Sequence, residues 1–191
     1  VPQSLPAQIE IAVMGAVLGR QRAADHRPQR AAPEIGQRAE GELAVQGGAV
    51  LDVWQADSEG AYEAQLEVDE ARLRAKYTAR EDGTYCVRTV APLGYAIPMD
   101  GPVGDLIART EISYFRPAHV HFLIDAPGYE PLVTHLFRAG SDYLDSDVVF
   151  GTKAELVVDF VEREPGPTPD GGKSAEPWLE ARYDFVLQRA Q

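Results

Sequence analysis

The segment 115–124, Phe-Arg-Pro-Ala-His-Val-His-Phe-Leu-Ile, constrains the fold more than any other part of the chain. Apolar residues alternate here with His119 and His121, and such alternation is typical of a strand that buries one face. Two histidines at i, i+2 on one face can offer both imidazoles to one ion. Imidazole suits iron, copper, zinc and nickel alike, so the pair by itself names no metal. The side chains expected on the opposite, buried face are Val120, Phe122 and Ile124.

Short runs of strand character recur along the chain from Val50 onward. Turn signals rich in Gly, Pro, Asp and Ser separate these runs, for example Glu81-Asp82-Gly83 and Gly140-Ser141-Asp142. Many short strands with such punctuation predict an all-β fold, and a β-sandwich in preference to a βαβ fold. The predicted strands are Val50–Trp54, Tyr85–Val90, Ala118–Ile124, Leu132–Phe137, Leu156–Val161 and Tyr183–Leu187.

The first 48 residues have a different pattern and suggest a separate region. A spacing of four between apolar residues predicts a short helix that ends near Leu18. Residues 19–42 are rich in Arg, Gln and Ala, show neither period, and are expected to form an irregular arm. We therefore divide the chain into an N-terminal helix and arm (1–48) and a β-sandwich domain (49–191). The residues with the spacing of four are Leu5, Ile9, Val13 and Val17.

Composition excludes several classes of function. The net charge is −12, from 30 acidic and 18 basic residues, which opposes binding to nucleic acid or an anionic membrane. No apolar run approaches the roughly 20 residues of a membrane span. Cys86 is the only cysteine, so no disulfide framework exists. In the opening segment the apolar part precedes the first basic residue, the reverse of a signal peptide. These features predict a cytoplasmic protein.

Two tyrosines stand out among the predicted strands and turns. Tyr62 follows the segment Asp52–Ala61, and Tyr95 lies in the segment Pro92–Pro98. A tyrosine is usually an amphipathic packing residue, and this chain has eight. A hard trivalent ion would favour the ionised phenol, whose ordinary pKa of about 10 otherwise keeps it neutral at pH 7.

Several motifs in the same order resemble those of the intradiol ring-cleaving dioxygenases. The resemblance covers residues 51 to about 160, over half of the chain. The matching motifs are Trp54-Gln55-Ala56-Asp57 with Gly60 and Tyr62, Pro92-x-Gly94-Tyr95, Arg116-Pro117-Ala118-His119-Val120-His121, Ala126-Pro127-Gly128-Tyr129 and Thr134-His135.

The resemblance implies a β-sandwich enzyme with a mononuclear, non-haem Fe(III) site, a catecholic substrate and O2. It also implies that Tyr95 is the phenolate displaced by substrate and a base for a substrate proton. Arg116 would stabilise the charge on the substrate ring; its alternative interpretation is a surface salt bridge. The ligands carried over by motif are Tyr62, Tyr95, His119 and His121.

The subgroup is indicated by residues after the histidine motif. His135 stands where many catechol-cleaving relatives have glutamine, and the segment 144–151 looks most like hydroxyquinol (benzene-1,2,4-triol) 1,2-dioxygenases, which produce maleylacetate. Val148 and Val149 would line the substrate pocket in that case, with ordinary core valines as the alternative. Catechol or a substituted catechol is the alternative substrate. The acidic residues of this segment lack the pattern of a calcium loop and are expected to form a solvated turn. They are Asp142, Asp145 and Asp147.

The front of the chain departs from the family pattern. Catechol- and hydroxyquinol-cleaving relatives carry a longer N-terminal helical region used for dimerisation, so residues 1–48 are expected to be a shortened or divergent version and any homodimer to be weakened. Two other hypotheses remain open. One is a cupin-type ferrous site built from His119, His121 and Asp125. The other is a non-catalytic β-sandwich binding module.

Overall fold

The computed structural model describes residues 10–20, 43–66 and 71–191, and strands dominate them. These residues contain one α-helix, α1 (Pro102–Ala108), and two 3-10 helices, Glu63–Gln65 and Ala154–Leu156. The strands are β1 (Glu10–Arg20), β2 (Leu43–Val45), β3 (Val50–Trp54), β4 (Arg74–Thr78), β5 (Thr84–Val90), β6 (Tyr95–Ala96), β7 (Phe115–Arg116), β8 (His119–Asp125), β9 (Leu132–Arg138), β10 (Val157–Val158), β11 (Val161–Arg163), β12 (Gly166–Pro167), β13 (Lys173–Ser174), β14 (Trp178–Arg182) and β15 (Phe185–Leu187).

Two large sheets organise these strands. The five-stranded sheet has the order β10-β9-β8-β3-β4 and is antiparallel except for the β9–β10 pair. In the six-stranded sheet, β1 pairs in parallel with β14 and β15 and antiparallel with β2 and β5. Two further sheets have two strands each, β6-β7 and β12-β13. Strand β1 is therefore the common partner that joins the ends of the chain.

The two large sheets face each other across one apolar core. The Phe122 ring of the five-stranded sheet lies 4.9 Å from that of Phe185 and 6.5 Å from that of Tyr85, both in the six-stranded sheet. Burial of these apolar faces is the main favourable contribution to folding. The predicted all-β sandwich is confirmed. Fully buried core side chains include Val17, Leu51, Val120, Phe122, Ile124, Leu136, Phe185 and Leu187.

The sequence predicted the strands of the five-stranded sheet better than those of the other. Runs with clear alternation correspond to β3, β5, β8 and β9 with bounds that agree within one residue. The run Leu156–Val161 is wrong as a single strand, because a 3-10 turn precedes the short β10 and a break separates it from β11. The run Tyr183–Leu187 is a strand only from Phe185. Besides β1, the strands of five or more residues that were not predicted are β4 and β14.

The predicted N-terminal helix is wrong where the structure describes it. Residues Glu10–Arg20 form a strand, in which Val13 and Val17 are both buried in the core. A spacing of four fits a helix face, but it is also an even number and so keeps residues on one face of a strand. Leu5, Ile9 and residues 21–42 of the arm lie outside the described residues. Within the part that the structure does describe, no helix has the length and apolar character needed to cross a membrane.

Candidate metal centre

Strand β8 places both histidines on the outer face of the five-stranded sheet. Its residues at even-numbered positions, Val120 to Ile124, are buried in the core, which confirms the predicted alternation. His121 lies directly between two cross-strand partners, Trp54 of β3 and His135 of β9. The outer face therefore carries a row of aromatic and imidazole rings.

Tyr62 reaches this face from a tight turn after β3. The Asp57 carboxylate accepts hydrogen bonds from the backbone N–H groups of Glu59 and Ala61, each at 2.9 Å. Gly60 has φ +82°, and a Cβ there would lie 2.6 Å from Tyr95 Cβ. Glycine is thus required both for the left-handed backbone and for the close approach of Tyr95. The turn brings the two predicted tyrosines together.

Tyr95 and Arg116 are cross-strand neighbours in the β6-β7 ladder. This pairing sets the residue that precedes the histidine motif beside the second tyrosine. The site is thus assembled from the turn that carries Tyr62, the two-stranded ladder and strand β8.

Four side-chain donor atoms converge at this point. Tyr62 Oη lies 2.8 Å from Tyr95 Oη and 3.0 Å from His121 Nε2. His119 Nε2 lies 3.1 Å from His121 Nε2. Ligand atoms bonded at about 2.1 Å to one transition-metal ion are about 3 Å apart when they take adjacent positions. The observed spacings fit that requirement.

The protonation states also suit a metal ion. His119 Nδ1 donates a hydrogen bond to the Pro117 carbonyl oxygen at 2.7 Å, so the lone pair is on Nε2. Burial, with a smaller contribution from the Arg116 charge, lowers the pKa of His119 to about 3. Burial and the neighbouring His119 lower the pKa of His121 to about 2. Both imidazoles are therefore neutral at pH 7, as metal ligands must be.

The phenol of Tyr62 needs a nearby cation to ionise. Burial and the hydrogen bond with Tyr95 raise its pKa above the ordinary value. A metal ion would supply the positive charge that reverses this effect. The donor set of two phenols and two neutral imidazoles fits a hard transition-metal ion.

Arg116 forms a buried ion pair and not a surface salt bridge. Its Nε lies 3.1 Å from Asp147 Oδ1, and the two side chains are only 6% and 2% exposed. Burial lowers the pKa of Arg116, but the contacts with Asp147 outweigh it and the pKa is raised. Arg116 also donates from one terminal nitrogen to His119 Nε2 at 2.9 Å. The other terminal nitrogen is buried and has no hydrogen-bond partner in the part of the chain that the structure describes.

The prediction that Asp147 lies in a solvated turn is wrong, because its side chain is buried. Besides the ion pair, its carboxylate accepts the backbone N–H of Gly151 at 2.9 Å and that of Val149 at 3.4 Å. These bonds and Arg116 hold the pKa of Asp147 below its ordinary value although burial alone would raise it. Asp142 and Asp145 are exposed, as expected of the rest of the turn.

The three proposed substrate contacts occupy different positions. The His135 ring centroid lies 4.4 Å from that of His121 and 5.4 Å from that of His119. One ring nitrogen from each of the three histidines can be chosen so that all three atoms lie within 4.8 Å of one another. Val148 is buried and Val149 is half exposed, in the loop that Asp147 holds.

A cupin-type arrangement is not formed. Asp125 is exposed at the far end of β8. It is four positions beyond His121 on an extended strand, a distance of about 13 Å. The oxygen donors beside the histidines are the phenols of Tyr62 and Tyr95.

Sequence patterns did not reveal two residues at this site. Trp54 stacks on His121, and Asp147 pairs with Arg116. Trp54 belongs to a motif that is visible in the sequence, but only the register of β3 against β8 shows its partner. No local signal distinguished Asp147 from the exposed aspartates around it.

Comparison with known proteins places the chain in a family. The family model described as Dioxygenase matches residues 37–189. The 6-chlorohydroxyquinol 1,2-dioxygenase of Cupriavidus pinatubonensis is 49% identical over 141 residues, which cover 73% of this chain and 47% of that protein. The chain belongs to the intradiol dioxygenase family.

Other members of the intradiol dioxygenase family agree in sequence and in fold. The hydroxyquinol 1,2-dioxygenase of Nocardioides simplex is 44% identical over 142 residues, 73% of this chain and 48% of that protein. The crystal structure of hydroxyquinol 1,2-dioxygenase from Pseudomonas putida matches with a TM-score of 0.77 and 36% identity, covering 98% of this chain and 59% of that one. The chain spans about half the length of the curated relatives it matches.

Proposed function

We propose that Tyr62, Tyr95, His119 and His121 hold a mononuclear, non-haem ferric ion, and that the chain cleaves hydroxyquinol with O2 to give maleylacetate. The observation that carries this proposal is the convergence of two phenol oxygens and two imidazole nitrogens, with neighbouring atoms 2.8–3.1 Å apart. The names of the similar proteins from Cupriavidus pinatubonensis and Nocardioides simplex support the substrate class.

The protein groups around the four donors have separate tasks. A ferric ion held by these residues would supply Lewis acidity for a substrate with two hydroxyl oxygens. Tyr95, ionised by the charge of that ion, would accept a proton from a substrate hydroxyl at its phenolate Oη. Arg116 has a buried terminal nitrogen without a hydrogen-bond partner among the described residues, and we assign to this guanidinium the stabilisation of negative charge on the substrate ring. Asp147 keeps that guanidinium in place.

We assign selectivity for the third hydroxyl of hydroxyquinol to His135 and to the loop 147–151 beside Arg116. Burial and the Arg116 charge lower the pKa of His135, so its imidazole is neutral and can exchange a hydrogen bond with a hydroxyl. Val148 and Val149 would bound the ring of the substrate. Catechol or a substituted catechol is the alternative substrate, and a catechol 1,2-dioxygenase is also among the similar proteins.

The metal site is tested by the colour of the iron-loaded protein. Phenolate bound to ferric iron gives a charge-transfer band in the visible, so we expect a red to burgundy protein with one iron per chain. Tyr62→Phe and Tyr95→Phe should shift this band, and His119→Ala should lose most of the iron. Tyr129→Phe is the matched control, because it also removes one phenol hydroxyl but lies away from the site. A folded, iron-loaded chain without a visible band would contradict the ligand set and favour an ion on the three histidines.

The reaction is tested by O2-dependent turnover with identification of the product. We expect kcat/KM for hydroxyquinol to exceed that for catechol, and His135→Gln to reduce the difference. A kcat/KM on catechol that is equal or greater would contradict the proposed selectivity but not ring cleavage. A coloured protein that turns over neither substrate would favour the non-catalytic binding module.

Assembly and location remain predictions from the sequence. Weakened homodimerisation is tested by the mass of the protein in solution. A cytoplasmic location is tested by cell fractionation.

A further inference from the structure

The two histidines of the proposed site are held in different ways. His119 is oriented by the hydrogen bond from its Nδ1 to the Pro117 carbonyl oxygen. The described residues supply no such bond to Nδ1 of His121, whose Nε2 faces Tyr62 and His119. Metal-binding histidines usually rely on a hydrogen bond at the second nitrogen to fix the ring. His121 needs another means of orientation.

The stacked indole of Trp54 provides this orientation. The rings of Trp54 and His121 are 4.8 Å apart between centroids and only 5° from parallel. The register of β3 against β8 places the two residues directly opposite each other, so the stack is built into the sheet. A parallel ring in contact restricts rotation of the imidazole about its χ2 angle in the way that a hydrogen bond would.

Trp54 is in turn held by an ion pair across β3 and β4. The guanidinium carbon of Arg74 lies 5.3 Å from the centre of the Trp54 ring, within the range of a cation–π contact. Arg74 also donates to Asp52 Oδ2 at 2.9 Å. The Asp52 side chain is only 10% exposed, so this partner is itself fixed in the sheet. The indole is thus packed between His121 and a half-exposed Arg74 that Asp52 anchors to the sheet.

We propose that Trp54 is a positioning residue that sets the ring orientation of His121, with Arg74 and Asp52 as its support. The proposal rests on the proposed function, because it assumes that His121 binds the metal. It predicts that the indole affects the metal site without contacting substrate.

The test compares Trp54→Leu and Trp54→Phe with Trp178→Phe. Trp178 is the other tryptophan of the chain, buried in β14 of the opposite sheet, and its indole N–H has no partner in the described part of the chain. Its replacement by phenylalanine therefore removes an unsatisfied donor and serves as a matched control. Iron affinity is measured by chelator competition, and the ligand field by the visible band.

We expect Trp54→Leu to weaken iron binding by about tenfold or more and to shift the visible band. Trp54→Phe keeps a smaller stacking ring and should have an intermediate effect. Trp178→Phe should leave the band and the affinity unchanged. A folded Trp54→Leu protein with the wild-type band and iron affinity would overturn the proposal.

Fluorescence gives a second measurement, in which one variant retains Trp54 and the other retains Trp178. In Trp178→Phe the only indole is the one stacked on His121, so iron loading should quench most of the tryptophan emission. In Trp54→Phe the remaining indole lies in the other sheet and should be quenched much less. Equal quenching in both variants would contradict the stack, even if Trp54→Leu does not fold.

The two proposals fail in different ways. If the wild-type protein binds iron without a visible band, the proposed ligand set is wrong. If the wild-type protein is coloured and Trp54→Leu matches it in band and affinity, only the positioning role is wrong. Arg74→Met, which keeps the indole but removes the cation, should change the affinity less than Trp54→Leu does.

Discussion

The two large sheets bury apolar faces against each other, but they are assembled from sequence in different ways. In the five-stranded sheet, β8 and β9 are neighbours in the chain, and a short motif places both histidines on one face. In the six-stranded sheet, β1 pairs with β14 and β15 near the other end of the chain. The face that carries the histidine pair therefore depends on a local motif, whereas closure of the fold depends on long-range pairing. Changes in the six-stranded sheet should therefore affect folding of the whole protein, whereas changes beside β8 should mainly affect the site.

Loss of β1 is expected to have the largest effect. A chain that begins at Gly41 lacks the strand with which β2, β5, β14 and β15 pair, and exposes the core around Phe185. We expect it not to fold, because several ladders and a layer of the core are removed together. Circular dichroism and dispersion of amide NMR signals measure the outcome.

A folded, iron-binding chain from Gly41 would instead support the division at residue 48 that the sequence predicts. A single substitution in β1 also tests whether this strand is required for folding, and it removes no residues. A Cβ on Gly15 would lie 1.7 Å from the backbone oxygen of Tyr183, so Gly15→Ala should destabilise the protein strongly. Gly101→Ala, where nothing lies within 4 Å, is the control.

Loss of the Asp147 carboxylate is expected to have a smaller effect that is concentrated at the site. Asp147→Asn leaves the buried Arg116 charge without its anion, which should lower the free energy of unfolding by about 3 kcal/mol. It should also lower kcat about tenfold or more, since the guanidinium is no longer held. Asp145→Asn, an exposed neighbour in the same loop, should change neither quantity. Equal behaviour of the two variants in urea unfolding and in turnover would show that the ion pair does not position Arg116.

Acidification should produce a graded effect, and it should come from the outer face of the five-stranded sheet. In the unfolded chain, histidines take up a proton below about pH 6.5. In the folded protein, burial lowers the pKa of His119 to about 3 and that of His121 to about 2. At a pH between the unfolded and the folded pKa values, the unfolded state binds more protons than the folded state. The free energy of unfolding therefore falls as the pH falls. The decrease is at most about 1.4 kcal/mol per pH unit for each histidine.

Urea midpoints of the metal-free protein at pH 7 and pH 5 measure this decrease. His121→Gln should show a shallower dependence on pH, because one of the two buried imidazoles is gone. Three of the four histidines of the chain lie at this site, so the signal reports on it directly. A midpoint that does not change between pH 7 and pH 5 would contradict the burial of neutral imidazoles.

The sequence by itself determined the strands whose apolar residues alternate, and with them the face that carries His119 and His121. The motif that contains Gly60 and Tyr62 was also visible in the sequence, and the structure forms a turn there in which Gly60 has a positive φ. These features are local: a side chain's face depends on its parity along the strand, and a turn depends on a few adjacent residues.

Only the tertiary structure decided the features that depend on pairing. A spacing of four is compatible with a helix and with a strand, and long-range hydrogen bonds made Glu10–Arg20 a strand. Asp147 became a buried partner of Arg116, and Trp54 became the neighbour of His121, through contacts between residues distant in the chain. Register and loop packing are set by the sum of many such contacts, and no short window of sequence contains that sum.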